Sequence, residues 1–219
     1  MSNFYERYPM MRPYLGVNFH KANTPSLLLI GESHYLPKGS SQHVSADTWY
    51  SSSCDSLSPE EIGWISTKKV LDEFLVESTS NAAFSIWSNA LREINKYGPR
   101  YSDYKRVADD IAFYNFFLRP GLEGKSLAVS AQDVEFANEA FRAHHQALKP
   151  TAIIFLSMLA HKHLHQSESL SVPVIATPHP GCAWWNRVAK KYGGKKGRDI
   201  LGDFIKTTNW PQSPQTGSS

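Results

Sequence analysis

The stretch LLLIGESHYLP at residues 27–37 joins four aliphatic residues to a glycine, a carboxylate, a hydroxyl, an imidazole and a phenol in succession. The aliphatic run is bounded by Pro25 and Gly31. A short continuous apolar segment between such breakers reads as a strand over 26–30 that is buried on both faces. Residues 31–35 then read as the loop leaving its carboxyl end. In an open parallel sheet, ligands bind in the crevice beyond the carboxyl ends of the strands, because loops from neighbouring strands converge there. Gly31, Glu32, Ser33, His34 and Tyr35 are therefore candidate site residues.

Three further runs have the same character. DIAFYNFFLRPG at 110–121 predicts a strand over 111–116, stopped by Pro120 and Gly121, with Asn115 and Phe116 at its end. TAIIFLS at 151–157 and VPVIATPHPG at 172–181 predict two more, the last delivering His179 in a loop over 177–181. Helical patterns lie between them. Ser58, Pro59 and Glu61 form an N-terminal signature, predicting a helix to residue 76. Phe84, Trp87, Leu91 and Ile94 recur at helical spacing within 82–97, which Gly98-Pro99 ends, and these four read as core. Ser130 and Asp133 open a helix to residue 148. A short helix spans MLAHKHLH at 158–165, and a last one spans 199–207. The Ser-rich region 40–58 reads as a long polar loop. Strands alternating with helices, each strand apolar throughout, predict an α/β fold: a three-layer α/β/α sandwich on a central, mainly parallel four-stranded sheet. A single domain over 1–210 is expected, followed by a disordered tail over 211–219, PQSPQTGSS.

Of the 219 residues, 41% are hydrophobic and 20% charged, which places the chain among globular proteins rather than disordered or collagen-like ones. Cys54 and Cys182 are the only cysteines. With no basic-led apolar leader and no apolar stretch of bilayer length, the expectation is a cytoplasmic protein that makes no membrane contact. A monomer that needs neither cofactor nor metal is expected. His161, His163 and His165 alternate, but no nearby carboxylate or cysteine completes a metal site, and a helix C-terminus favours histidine through the dipole. Net charge is only +3, yet Arg187, Lys190, Lys191, Lys195, Lys196 and Arg198 fall within twelve residues. Such a cluster suits a phosphate backbone.

The order GESHY, YNFF, KPTAIIFLS and TPHPG, spread over residues 27–187, is similar to that of the uracil-DNA glycosylase superfamily. In that family a first loop of the type G-x-x-P-Y or G-E-x-P-G follows the first strand, an Asn or similar reader ends the second, and a His-Pro-Ser or His-Pro-Gly loop follows the last. The resemblance implies that Asn115 pairs with a flipped base, that His179 stabilises the anionic oxygen of the departing base, and that Tyr35 walls the pocket. Ser33 stands where several of these families carry the Asp that orients the attacking water, and His34 replaces the usual Pro. Four cysteines at paired spacing are absent, which excludes the iron–sulfur cluster of some family members.

Breaking a nucleoside bond needs negative charge or a polarised water beneath the sugar and a donor at the leaving base. Glu32 and His34 suit the first task and His179 the second. Gly31, Ser33, Tyr35, Asn115 and Phe116 are expected to form the base pocket. Extruding a base from duplex DNA calls for a wedge and for phosphate contacts. Trp184, Trp185, Asn186, Arg187, Lys195 and Lys196 are the candidates, with packed tryptophans on a solvated basic loop as the competing reading. GESHY also resembles a nucleophile elbow, but it lacks the second glycine and an assigned acid partner, so an esterase ranks lower. Two functions of different class follow: a glycosylase that flips and hydrolyses uracil or another deaminated base, and a binding module of the same fold, suggested by Ser33, that holds a base or nucleotide without hydrolysis.

Overall fold

The computed structural model describes residues 2–41, 45–76, 84–125, 127–165 and 170–210. The expected tail over 211–219 lies outside them. Five strands, β1 (Tyr14–Leu15), β2 (Leu27–Leu36), β3 (Ile111–Leu122), β4 (Ala152–Phe155) and β5 (Val174–Ala176), form one sheet in the order β1-β3-β2-β4-β5. All pairings are parallel except that of β1 with β3. The sheet therefore has five strands where the sequence predicts four. The addition is a two-residue edge, Tyr14 against Phe113 and Leu15 against Ala112, too short to leave a period-2 pattern.

The helices among the described residues are α1 (Ser2–Arg7), α2 (Ala46–Ser51), α3 (Pro59–Ile65), α4 (Thr67–Val76), α5 (Ser85–Tyr97), α6 (Ala131–Leu148), α7 (Met158–Lys162) and α8 (Gly197–Ile205). Successive β2 side chains serve opposite faces of the sheet. Leu27 and Leu29 pack with Leu71 of α4, Trp87, Leu91 and Ile94 of α5, and Leu201 of α8. Leu28 and Ile30 pack with Ala137 and Phe141 of α6 and Ala160 of α7. Both faces of β2 are dry, as its unbroken apolar run requires.

Beyond Ile30 the chain departs from expectation. Residues 31–35 are not a loop: β2 continues, pairing Gly31 with Asn115, Ser33 with Phe117 and Tyr35 with Gly121. Between the last two pairs β2 advances by two residues and β3 by four, so the ladder bulges, and β3 passes through Pro120 where no regular ladder bond is demanded of it. The freed backbone finds other partners. Trp49 Nε1 donates to the Leu118 carbonyl at 3.1 Å.

The bulge also turns Arg119 inward. Its Nε and Nη2 donate to Asp133 Oδ1 and Oδ2 at 2.8 and 2.6 Å, and both side chains are almost wholly buried. Tyr50 Oη donates to the same carboxylate at 3.1 Å, and the Ser130 amide donates at 2.8 Å. Burial alone pushes the Asp133 carboxyl upward, but the bonds from Arg119 and Ser130 outweigh it and hold its pKa below the ordinary range. Asp133 is thus both the expected capping-box residue of α6 and half of a buried ion pair.

The Ser-rich region 40–58 is not simply a polar loop. Ser45 caps α2, whose Trp49 and Tyr50 enter a third cluster with Phe4, Tyr8, Leu36, Ile65 and Leu118. Tyr8 stacks on Trp49 at 4.5 Å and Tyr50 on Phe136 at 4.1 Å. The capping box of Ser58 and Glu61 starts α3 as expected, but α3 and α4 are separate helices divided at Ser66, which is extended. The break places Thr67 Oγ1 3.1 Å from His34 Nε2 inside the protein.

Candidate functional site

His34 does not belong to the site. The His34 ring is buried and committed to Thr67, thirty-three positions along the chain. Burial lowers its pKa from the usual 6.5 to about 4, so it is neutral at physiological pH. Between those values the unfolded chain binds a proton that the native chain refuses. The stability His34 confers near neutrality is therefore lost as pH falls from 6.5 towards 4. In His34→Gln, which removes the titration, the loss of unfolding free energy between about pH 7 and about pH 5 should shrink by about 2 kcal/mol. Urea unfolding at the two pH values measures this, and an unchanged pH dependence would contradict the assignment.

Phe116 is also core. It is fully buried, with ring centroids 5.1 Å from Phe117 and 5.8 Å from Phe155, on the face opposite its neighbour Asn115.

Asn115 is held differently. It lies beside Gly31, and a Cβ built on Gly31 would fall 2.2 Å from Asn115 Oδ1 and 2.9 Å from Phe113 Cζ. Only a glycine lets the Asn115 amide lie across β2. No described residue hydrogen-bonds that amide. Ser33, two residues on, is 7% exposed, and its Oγ is buried without a partner. A buried hydroxyl left unpaired costs free energy that a ligand or water restores.

β2 lies between β3 and β4, at the point where the chain changes direction across the sheet. The last bond between β2 and the β4 segment is Leu156 N to the Ile30 carbonyl, 2.8 Å. Beyond it Glu32 meets Ser157, the N-cap of α7, whose Oγ donates to Glu32 Oε2 at 2.6 Å. His179, in the turn after β5, is close enough to feel the Glu32 carboxylate. Burial lowers the imidazole pKa, and the charge of Glu32 works against that shift. His179 Nδ1 accepts the Gly181 amide at 3.0 Å, so the neutral ring carries its proton on Nε2. The turn is anchored to α5, where Asn89 Nδ2 donates to the Pro180 carbonyl at 2.9 Å. A side chain on Gly181 would collide with Ser85 Oγ, at 2.6 Å. Tyr35, 37% exposed, lies with its ring edge over Gly121. Its phenol pKa is raised by burial and then by the charge of Glu32.

The expected DNA contacts divide. Trp185 is 2% exposed, packs in the core and abuts Gly197, which removes it as a wedge. Trp184 is 40% exposed, and Lys191 Nζ sits 5.2 Å from its ring centroid. Ala189 and Lys195 pair across a small hairpin turned by Gly193 and Gly194, both with positive φ. Lys195 is engaged with Asp203 at 2.8 Å, Asn186 Oδ1 accepts from Arg198 at 3.3 Å, and Lys196 stands at the N-cap position of α8 without a side-chain capping bond. Arg187 and Lys190 are exposed and have no carboxylate partner among the described residues.

Elsewhere, a cavity of about 580 Å³ lies at the amino ends of the strands, lined by residues such as Pro25, Thr151, Pro173 and Thr207. None of the candidate residues lines it. It holds no titratable side chain, and the hydroxyls of Thr207 and Thr208 are spent on backbone carbonyls. The His161 and His163 rings pack against Phe155 and Phe117. Among the described residues no cluster of three or more His, Cys, Asp or Glu could hold a metal, and no helix is long and apolar enough to cross a membrane.

Ser157, Ser85 and Asn89 were not singled out from the sequence as site residues. Ser157 carried a usable signal, since it ends the apolar run TAIIFLS as Glu32 follows LLLI. Ser85 and Asn89 carried none, because they support the turn only through a long-range contact. No protein-family model matches the chain, and no curated protein aligns with it significantly.

Proposed function

We propose that this chain is a DNA glycosylase-like protein that draws an extruded uracil, or another deaminated base, into the region between Asn115, Glu32 and His179 and hydrolyses its N-glycosidic bond. The observation that carries this reading is the amide of Asn115, laid across Gly31 and without a partner among the described residues. In this reading the strands are the middle of an α/β/α sandwich, and a monomer acts on DNA.

A side-chain amide offers both donors and an acceptor, the pattern a pyrimidine edge requires. His179, neutral and protonated on Nε2, donates to the base oxygen that gains charge as the bond breaks. Glu32 places a carboxylate beneath the sugar, where positive charge develops. Water adds to C1′ as the electron pair of the C–N bond leaves with the base, and the proton released by the water ends on the base.

Uracil release from single- and double-stranded oligonucleotides tests this, with Glu32→Ala and His179→Ala as controls. Release by wild type that both substitutions abolish supports it. Asn115→Asp should alter or abolish base preference by about 1–3 kcal/mol, the scale of a bidentate base contact. A base profile unchanged in a folded variant rejects the role of Asn115.

The second reading, a module that binds without hydrolysis, is favoured by Ser33, which supplies no charge, and by the withdrawal of His34 into the core. It is selected if wild type binds DNA and releases nothing.

Both readings place phosphates against the hairpin that carries Lys190 and against Arg187 just before it. Neutralising these two should reduce the dependence of log K on log salt by about one to two units. An affinity indifferent to salt and to both residues would make the hairpin a solvated surface only.

A further inference from the structure

The carboxylate of Glu32 is bonded at one oxygen and free at the other. Ser157 Oγ donates to Oε2 at 2.6 Å, and no other described residue hydrogen-bonds the Glu32 side chain. The direction of that bond is set from behind. Ser157 Oγ accepts the Ala160 amide at 3.2 Å as the N-cap of α7, which occupies a lone pair and leaves its single proton for Glu32. Ser157 itself is 1% exposed, so no ligand reaches it. It lies two residues beyond β4, a strand paired with β2 from Leu27 to Ile30.

From this geometry we infer that Ser157 is a positioning residue. It clamps Oε2 of Glu32, midway along β2, from the start of α7 and thereby presents Oε1 to whatever occupies the region beside His179 and Asn115. The inference rests on the reading of that region as a ligand site. In the hydrolytic form of the reading, Oε1 is the oxygen that meets the sugar or its attacking water. A carboxylate bonded at both oxygens could not serve, and one bonded at neither would sample several rotamers before each turnover.

The experiment uses the full chain with Ser157→Ala, Ser157→Thr, Glu32→Ala and the double variant Ser157→Ala/Glu32→Ala. Single-turnover base release should fall about 10–100-fold in Ser157→Ala, with oligonucleotide affinity unchanged. Threonine, which keeps the hydroxyl, should restore the rate to within about threefold. A residue that only caps α7 would lower stability without this split between rate and affinity, so a wild-type rate in folded Ser157→Ala overturns the inference. Unfolding by urea supplies a readout independent of activity. The costs of Ser157→Ala and Glu32→Ala should be non-additive in the double variant because they remove one shared bond. Additivity overturns the inference as well. A wild type that releases no base, with non-additivity intact, would sink the hydrolytic reading while leaving the clamp in place.

Discussion

Replacing Asp133 with alanine should lower the free energy of unfolding by about 3–5 kcal/mol, the scale for removing one partner from a buried ion pair. The expectation follows from what would be left behind. Arg119, 6% exposed in its side chain, would keep its charge without the carboxylate that takes two of its bonds, and the hydroxyl of Tyr50 would lose its acceptor. Chemical denaturation of wild type and variant measures the change, and a loss below about 1 kcal/mol would show the pair to be replaceable. The same pair governs acid stability. Because the native pKa of Asp133 is depressed, its contribution is complete above the unfolded carboxylate range and disappears as pH falls through the native value. Acid should therefore weaken the protein in two stages: first through His34 and His144, both lowered by burial from 6.5 to about 4, and then through Asp133.

His179→Ala should lower the rate of base release by about 10²–10³-fold, the contribution of a single donor to a developing oxyanion. Folding should survive. Apart from the Gly181 amide two residues away, no described residue hydrogen-bonds the His179 side chain, and the turn keeps its anchor through Asn89 and the Pro180 carbonyl. Single-turnover kinetics beside a thermal melt distinguish the outcomes. A variant that melts like wild type and releases base at the wild-type rate would remove His179 from the chemistry.

The parts of this fold that were legible in the sequence are those with a short-range cause. LLLI showed both of its dry faces because four consecutive aliphatic residues leave no polar side for a sheet to expose to water. Ser58 with Glu61 and Ser130 with Asp133 announced α3 and α6 because a capping box closes within three residues. The extension of β2 had no such signal. Gly31 reads locally as a breaker, and only the pairing of residues 31–36 with β3, about eighty positions later, makes that segment a strand. Arg119 was hidden for a related reason, since its inward turn depends on a bulge defined by two strands at once. Ser157 was equally long-range, with 125 positions separating it from Glu32. Glu32 and His179 were candidates because each follows an apolar run and its breaker, whereas Asn115 lies inside β3 and not at the strand end expected for it. Phe116 was misplaced because strand alternation turns it away from its neighbour Asn115, and His34 because its bond to Thr67 spans thirty-three positions.

Because GESHY is strand rather than loop, Glu32 and Asn115 ride on the hydrogen-bonded ladder between β2 and β3. Loops adapt to what they hold by shifting; a central ladder shifts only at the cost of its own pairing. In the proposed reading, a ligand of the wrong width meets side chains whose backbone cannot move to follow it without losing ladder bonds. Discrimination in such a site arises by refusal more than by embrace. Its shape should persist in the empty protein and vanish only when the sheet itself comes apart.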